Sequence, residues 1–296
     1  MRRLRSKGFS DKAFSGTPGA LAFLVAESRA RITSLSRDNV AHQWTPARIQ
    51  SYVRALYDDY MDQVYRLDPY VLAARNRFVL NEIERSLKGA TVVLAPCGLA
   101  SYPYLTENNR LYVEIDLEEV VEFRTERTNE LFAAGNIPSR KIKRIQQDLT
   151  AIRRSDDLDE WFPRVGQKIV VLEGISYYLT KEDWWRLVNL VFRRLSAGDV
   201  LIFDYWPKSE ENRRIYKKFL RFCERNSGYS FEAFNFIEPS EIKAAFYKGF
   251  SGEDVKIETK SVRDICLNCF KEDKLRKADI LNDTLVKVSK ASTKLS

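Results

Sequence analysis

Several things are scarce in this chain, and each shortage removes a class of function. Its 296 residues include four cysteines (Cys97, Cys223, Cys266, Cys269), too few and too scattered for a disulfide scaffold. Cys266-Leu-Asn-Cys269 spells C-x-x-C, but no second pair accompanies it, so no metal or redox centre is expected. Reduced thiols of this kind predict a cytoplasmic protein. No stretch approaches eighteen apolar residues, which argues against a membrane span. The basic opening MRRLRSKGFSDK is not followed by an apolar segment, which argues against a secretory leader. Glycine never falls into G-x-G-x-x-G or G-x-x-x-x-G-K-[ST], so a nucleoside triphosphate cradle is not expected. Histidine occurs once, as His42.

What is present is an ordinary globular composition, 44% hydrophobic, with a net charge of +8. The 49 basic residues are interleaved with 41 acidic ones, and no nucleic-acid-binding motif accompanies them. This pattern reads as a solvated surface and argues against a nucleic-acid partner. RNA methylation stays open only through the basic termini, and a steep salt dependence of RNA binding would be its signature.

Two rhythms divide the chain. Residues 1–88 read as a helical cap: an alanine-rich helix over Gly19–Thr33, and a second over Pro46–Leu67 with Ile49, Val53, Leu56, Tyr57, Tyr60 and Val64 at helical spacing. Thr45 is the expected N-cap of that second helix. A third opens at Pro69 and turns Val71, Leu72, Phe78, Ile83 and Leu87 inward. From residue 89 to 296, short β-rich runs at 91–95, 111–115, 142–146, 168–172 and 199–203 alternate with helices over Leu117–Ala134, Asp157–Phe162 and Lys181–Leu195. Further on come helices over Ser209–Arg225 and Pro239–Tyr247, a strand or loop over Phe231–Phe236, and strands over Val255–Thr259 and Thr284–Val288. The expected fold is α/β: a Rossmann-like, doubly wound sheet of about seven strands with an N-terminal helical cap. Right-handed crossovers should set the first and fourth strands side by side.

The chemistry-bearing residues stand at strand ends. Asp116 closes Leu111-Tyr-Val-Glu-Ile115, Glu173 closes Ile169-Val-Val-Leu172, and Gly98 follows the first strand about twenty residues before Asp116. Ligands of open α/β sheets collect beyond the carboxyl ends of the strands, where such acids accept hydrogen bonds from a ribose or face a cation. A cofactor without a pyrophosphate needs less glycine, because no phosphate has to approach backbone amides. S-adenosylmethionine is such a cofactor.

The segments VVLAPCGLASYPY, LYVEIDLEEVVEFR, QQDL and VVLEGISYYLTKED resemble, in order and spacing, the leucine carboxyl methyltransferase family of S-adenosylmethionine-dependent enzymes. The likeness covers roughly residues 70–205, and more faintly Ala26-Glu-Ser-Arg-Ala30. It implies a class I methyltransferase fold and assigns roles residue by residue. Arg75 matches the arginine that holds the cofactor's carboxylate, with Arg77 as the other match. Gly98 lies under the methionine moiety, Asp116 takes the ribose hydroxyls, Asp148 and Leu149 meet the adenine, and Glu173 stands near the amino group. The chain departs from the family pattern at Pro96, in place of the first glycine, and at Ala100, in place of an aspartate. Cys97 fits the alanine slot, and Leu117 stands where proline is frequent.

The resemblance also frames the acceptor. The family divides between protein C-terminal carboxyl methylation and small-molecule methylation, and the short connections here favour O-methylation of a small-molecule carboxylate or hydroxyl. Protein or peptide ends are the alternative, and a non-catalytic cofactor- or partner-binding member with a degenerate glycine loop is another. Tyr177 and His42 are the catalytic candidates; Tyr178, Asp204 and Tyr205 are possible pocket residues. Trp184 and Trp185 read as packing.

Overall fold

The computed structural model describes residues 19–107, 109–162, 166–226, 235–249, 255–269 and 283–290. Residues 231–234 of the expected strand or loop lie outside these. Four helices come first: α1 (Ala20–Arg31), α2 (Thr33–Ser36), α3 (Gln50–Gln63) and α4 (Asp68–Arg85). Then strands and helices alternate: β1 (Thr91–Leu94), α5 (Tyr102–Leu105), β2 (Leu111–Asp116), α6 (Glu118–Ala133), β3 (Lys141–Gln146), β4 (Lys168–Leu172), α7 (Lys181–Arg193), β5 (Val200–Tyr205) and α8 (Glu210–Asn226). The last described elements are α9 (Pro239–Gly249), β6 (Val255–Ser261), α10 (Val262–Cys269) and β7 (Thr284–Lys290).

The strands form one seven-stranded sheet of order β3-β2-β1-β4-β5-β7-β6. β1 pairs in parallel with both β2 and β4, so the reversal of strand order falls between β1 and β4, as expected. β7 runs antiparallel to β5 and β6. Strands buried on both faces need apolar residues at every position. Accordingly Val92, Leu94, Ile169 and Val171 pack into one core, with α1, α3, α4 and α8. Val93, Val170 and Leu172 pack into the other, with α7 and α9. The edge strands β3 and β6 carry lysines, which discourage further pairing.

Local chemistry explains the helix ends. Thr180 caps α7 by accepting the Asp183 N–H at 3.1 Å, and Glu182 and Asp183 add negative charge to the first turn. Pro69 opens α4 where no backbone donor is required. Two expectations fail. Thr45 caps nothing: a 3-10 turn over Ala47–Ile49 follows an extended Pro46, and the buried Thr45 hydroxyl has no hydrogen-bond partner. Leu87 does not turn inward. It lies beyond the end of α4 and is 68% exposed, because the chain has already left the helix at Ser86. The C-x-x-C pair falls on α10, with Cys266 buried and Cys269 exposed. Trp184 is fully buried, as a packing residue should be, and Trp185 packs partly buried against the same core.

Candidate active site

The carboxyl ends of the parallel strands form a rim with two halves. Over β1 and β2, the loop after β1 passes through a cis Ala95–Pro96 peptide and places Gly98 at φ +44°, a conformation that side chains rarely adopt. Asp116, the last residue of β2, accepts the Gly98 N–H at 2.8 Å on one oxygen and the Leu117 N–H at 2.9 Å on the other. Burial raises the Asp116 pKa, and the two backbone donors hold that rise back. The oxygen that meets Gly98 also accepts the Cys97 thiol at 3.7 Å, while the one that meets Leu117 keeps a lone pair for a ligand.

This loop is braced from beneath. Arg124 of α6 donates to the carbonyls of Gly98 (2.8 Å) and Ala100 (3.1 Å), and Arg29 of α1 donates to that of Leu99 (2.6 Å). The Trp44 indole N–H reaches the Ser101 hydroxyl at 3.0 Å, and its ring lies 4.6 Å from the Arg124 guanidinium. Arg124 pairs with the fully buried Glu114, which also accepts from Arg144 at 2.9 Å. Three consecutive carbonyls are thus held by guanidinium groups, where the family pattern would place more glycine.

The other half of the rim lies over β4, β5 and β7. Arg75 projects from α4 and donates to Glu173 at 2.8 Å and to Asp204 at 3.1 Å. Asp204 also accepts the Gly174 N–H at 2.6 Å. Tyr102, just past the braced loop, donates its hydroxyl to Glu173 at 2.6 Å and so joins the two halves. Two more carboxylates stand within electrostatic reach of Arg75: Asp68, which accepts the Tyr60 hydroxyl at 2.8 Å, and Asp283, at the start of β7. Asp283 is 0% exposed, and its Oδ2 has no hydrogen-bond partner. Burial alone would lower the Arg75 pKa, but Asp204 and Glu173 outweigh it and hold the guanidinium firmly charged. Burial pushes Asp68 up to about 6 and Asp283 well above the carboxylate range. Tyr177 also faces Arg75; burial pushes its phenol up, so it stays protonated near neutrality.

The structure therefore brings together Arg75 with Glu173 and Asp204, and Gly98 with Asp116. Asp148 joins through its neighbour, since Gln147 N–H donates to the Asp116 carbonyl at 2.8 Å. The Asp148 side chain is exposed and accepts from the Thr150 N–H (2.8 Å) and hydroxyl (2.7 Å), beside the buried Leu149. His42 is elsewhere. It is exposed and lines a cavity of about 310 Å³ with Gln43, Thr45, Arg127 and Asn136, none of them a rim residue. Arg77 donates to the Leu35 carbonyl at 3.4 Å, which leaves Arg75 as the rim arginine. Sequence reasoning missed Tyr102, Glu114, Arg124, Arg29, Trp44 and Asp283. Glu114 alone left a trace, as an acid inside an otherwise apolar strand.

The residues fit an adenosyl cofactor. A Cβ built on Gly98 would meet nothing within 4 Å, so space lies open above the loop. That space is bordered by an acid at the end of β2, and the exposed Asp148 and buried Leu149 follow β3.

The sequence profile of the leucine carboxyl methyltransferase family matches residues 18–192, more than half of the chain. The chain belongs to the leucine carboxyl methyltransferase family. It is an S-adenosylmethionine-dependent methyltransferase. Solved structures share the fold of this methyltransferase. A Thermobifida fusca YX protein assigned as a methyltransferase is 15% identical, covers 94% of this chain and 96% of its own, and superposes with a TM-score of 0.55. A DUF574 family protein from Streptomyces avermitilis is 12% identical, with 88% and 97% covered and a TM-score of 0.57. No curated protein matches the sequence.

Proposed function

We propose that this methyltransferase O-methylates a small molecule at a carboxylate or a hydroxyl. The reading is carried by the rim cluster: Asp116 under the open space of Gly98, joined through Tyr102 to the Glu173–Arg75–Asp204 ion pairs. In it, Asp116 takes the ribose hydroxyls, Asp148 the exocyclic amine, and Leu149 walls the adenine. Arg75 and Glu173 serve the carboxylate and amino group of the methionine portion. Arg75 has five N–H donors, more than its two carboxylate partners need. When bound, the cofactor supplies a methyl group already activated on a sulfonium sulfur. The protein's part is positioning and exclusion of water.

A carboxylate acceptor is ionised at neutral pH and needs no general base, whereas a hydroxyl acceptor does. Tyr177, kept protonated by burial, is suited to orient an acceptor oxygen as a donor and not to remove its proton. His42 lines a different cavity and has no part in this reading. A cavity of about 290 Å³ beside Leu179 and Phe236 has the size of a small acceptor. Free thiols support a cytoplasmic place of action, and no helix among the described residues is long and apolar enough to cross a membrane.

Two measurements test the reading. Titration calorimetry with S-adenosylhomocysteine should show binding that Asp116→Ala weakens by about 1–3 kcal/mol; unchanged affinity rejects the ribose role. Transfer of tritiated methyl from S-adenosylmethionine to a panel of carboxylic and phenolic compounds should give labelled product. Label found only on polypeptide ends would replace the small-molecule acceptor with a protein one.

A further inference from the structure

One cavity is lined by none of the residues assigned above to the cofactor. It sits over the carboxyl ends of β4 and β5, lined by Leu179 and Lys181 after the one strand and by Lys208 and Arg213 after the other. Its connection to the rim is short. Tyr177, which faces Arg75, packs on Trp206 with ring centroids 5.8 Å apart. The Trp206 carbonyl accepts the Ile237 N–H at 3.1 Å, and the neighbouring Phe236 forms a wall of the cavity.

The polar lining is incomplete. Lys181 pairs with one oxygen of Glu241 at 2.7 Å, and Lys208 pairs with Glu238 at 3.3 Å. Arg213 makes no side-chain bond among the described residues. Asn235 is only 6% exposed, yet its Nδ2 has no hydrogen-bond partner, and neither does the buried Oε2 of Glu241. Buried amide donors are normally satisfied, and leaving one without a partner costs about 1–3 kcal/mol. Among the described residues the cavity thus presents two sets of donors without partners, Arg213 and Asn235, one such acceptor, Glu241, and apolar walls from Leu179 and Phe236.

We infer that this cavity holds the methyl acceptor by an end that does not react. That end carries a carboxylate, met by Arg213 and Asn235, with a neighbouring hydrogen-bond donor met by Glu241, on an apolar body packed against Phe236 and Leu179. The chemical class is an amino acid or hydroxy acid with an apolar or aromatic side group. The held carboxylate is not the methylated one. A guanidinium contact stabilises its charge and makes it a poorer nucleophile, so the reacting oxygen belongs to the opposite end, towards Tyr177 and the rim. The inference rests on the reading of the rim as a methyl-transfer site.

The test uses three probes on the full chain with S-adenosylhomocysteine present, by titration calorimetry. L-Phenylalanine carries carboxylate, donor and ring; 3-phenylpropionate lacks the donor; L-phenylalaninol lacks the carboxylate. L-Phenylalanine should bind, and phenylalaninol should bind about tenfold more weakly or worse. 3-Phenylpropionate should fall between them. Arg213→Ala, on the exposed face of α8, and Asn235→Leu should each reduce L-phenylalanine affinity by about tenfold while leaving S-adenosylhomocysteine affinity unchanged. Equal binding of phenylalaninol, indifference to Arg213→Ala, or no binding of any probe up to about 10 mM overturns the inference. S-adenosylhomocysteine binding without probe binding removes the acceptor cavity alone. Carboxylate-dependent probe binding without cofactor binding removes the methyl-transfer reading, and with it the identification of the ligand as an acceptor.

Discussion

The two halves of the rim balance their charge in opposite ways. Over β1 and β2, Asp116 takes two backbone N–H groups, Glu114 takes two arginines, and each loop carbonyl from Gly98 to Ala100 has a guanidinium donor. Over β4, β5 and β7, Glu173, Asp204, Asp68 and Asp283 gather around Arg75 as their shared cation. The first half is satisfied within the protein and suits a fixed platform. The second holds surplus negative charge, which suits the cationic methionine portion of the cofactor, and its three carboxyls with raised pKa values make it the more responsive half to pH.

The largest expected effect separates the two. Arg75→Met leaves buried carboxylates uncompensated and should cost about 3–5 kcal/mol in urea denaturation at pH 8. The loss should shrink at pH 5, where carboxyls with raised pKa values take up protons. An equal loss at both pH values would erase the contrast between the halves. Next comes Asp68→Asn. The folded pKa of about 6 lies above the ordinary aspartate value. The folded state therefore holds the extra proton, and the associated stability is present below about pH 4 and lost as pH rises through about 6. The variant lacks this dependence, so its stability relative to the parent should rise by on the order of 2–3 kcal/mol between pH 4 and 8. A flat difference across that range would show that Asp68 ionises normally.

Smaller effects test the braced half. Trp44→Phe removes the bond to Ser101 and weakens the ring contact with Arg124, for about 1 kcal/mol of stability. Cofactor affinity should hold, because the arginines still grip the loop; a large loss of affinity would make the indole part of the platform's geometry. His42→Ala, on the exposed wall of a separate cavity, should change stability by under about 0.5 kcal/mol and turnover not at all. A fall in turnover would bring the imidazole back into the chemistry.

Much of this fold was legible because parallel strands buried on both faces write themselves as apolar runs. Val92–Leu94 and Ile169–Leu172 announced adjacent central strands, and the acids that end β2 and β4 followed from the same runs. Arg75 was legible only through family likeness, since an arginine on a helix carries no sign of what it faces. The brace of Arg29, Trp44 and Arg124 was illegible for a different reason. It joins residues up to 70 positions apart by side-chain hydrogen bonds, and such bonds impose no periodicity. Thr45 and Leu87 misled because cap and core patterns assume the helix continues to the residue in question. In both places the backbone had changed course at the adjacent residue, Pro46 in one and Ser86 in the other.

The antiparallel seventh strand has a consequence for biosynthesis. Residues 284–290 thread between β5 and β6, and residue 283 brings its carboxyl to the shared arginine on the way in. A nascent polypeptide that has not yet emerged that far has β5 and β6 bare along facing edges. The antiparallel end of the sheet therefore closes in one step, when residues 284–290 leave the ribosome, and not strand by strand.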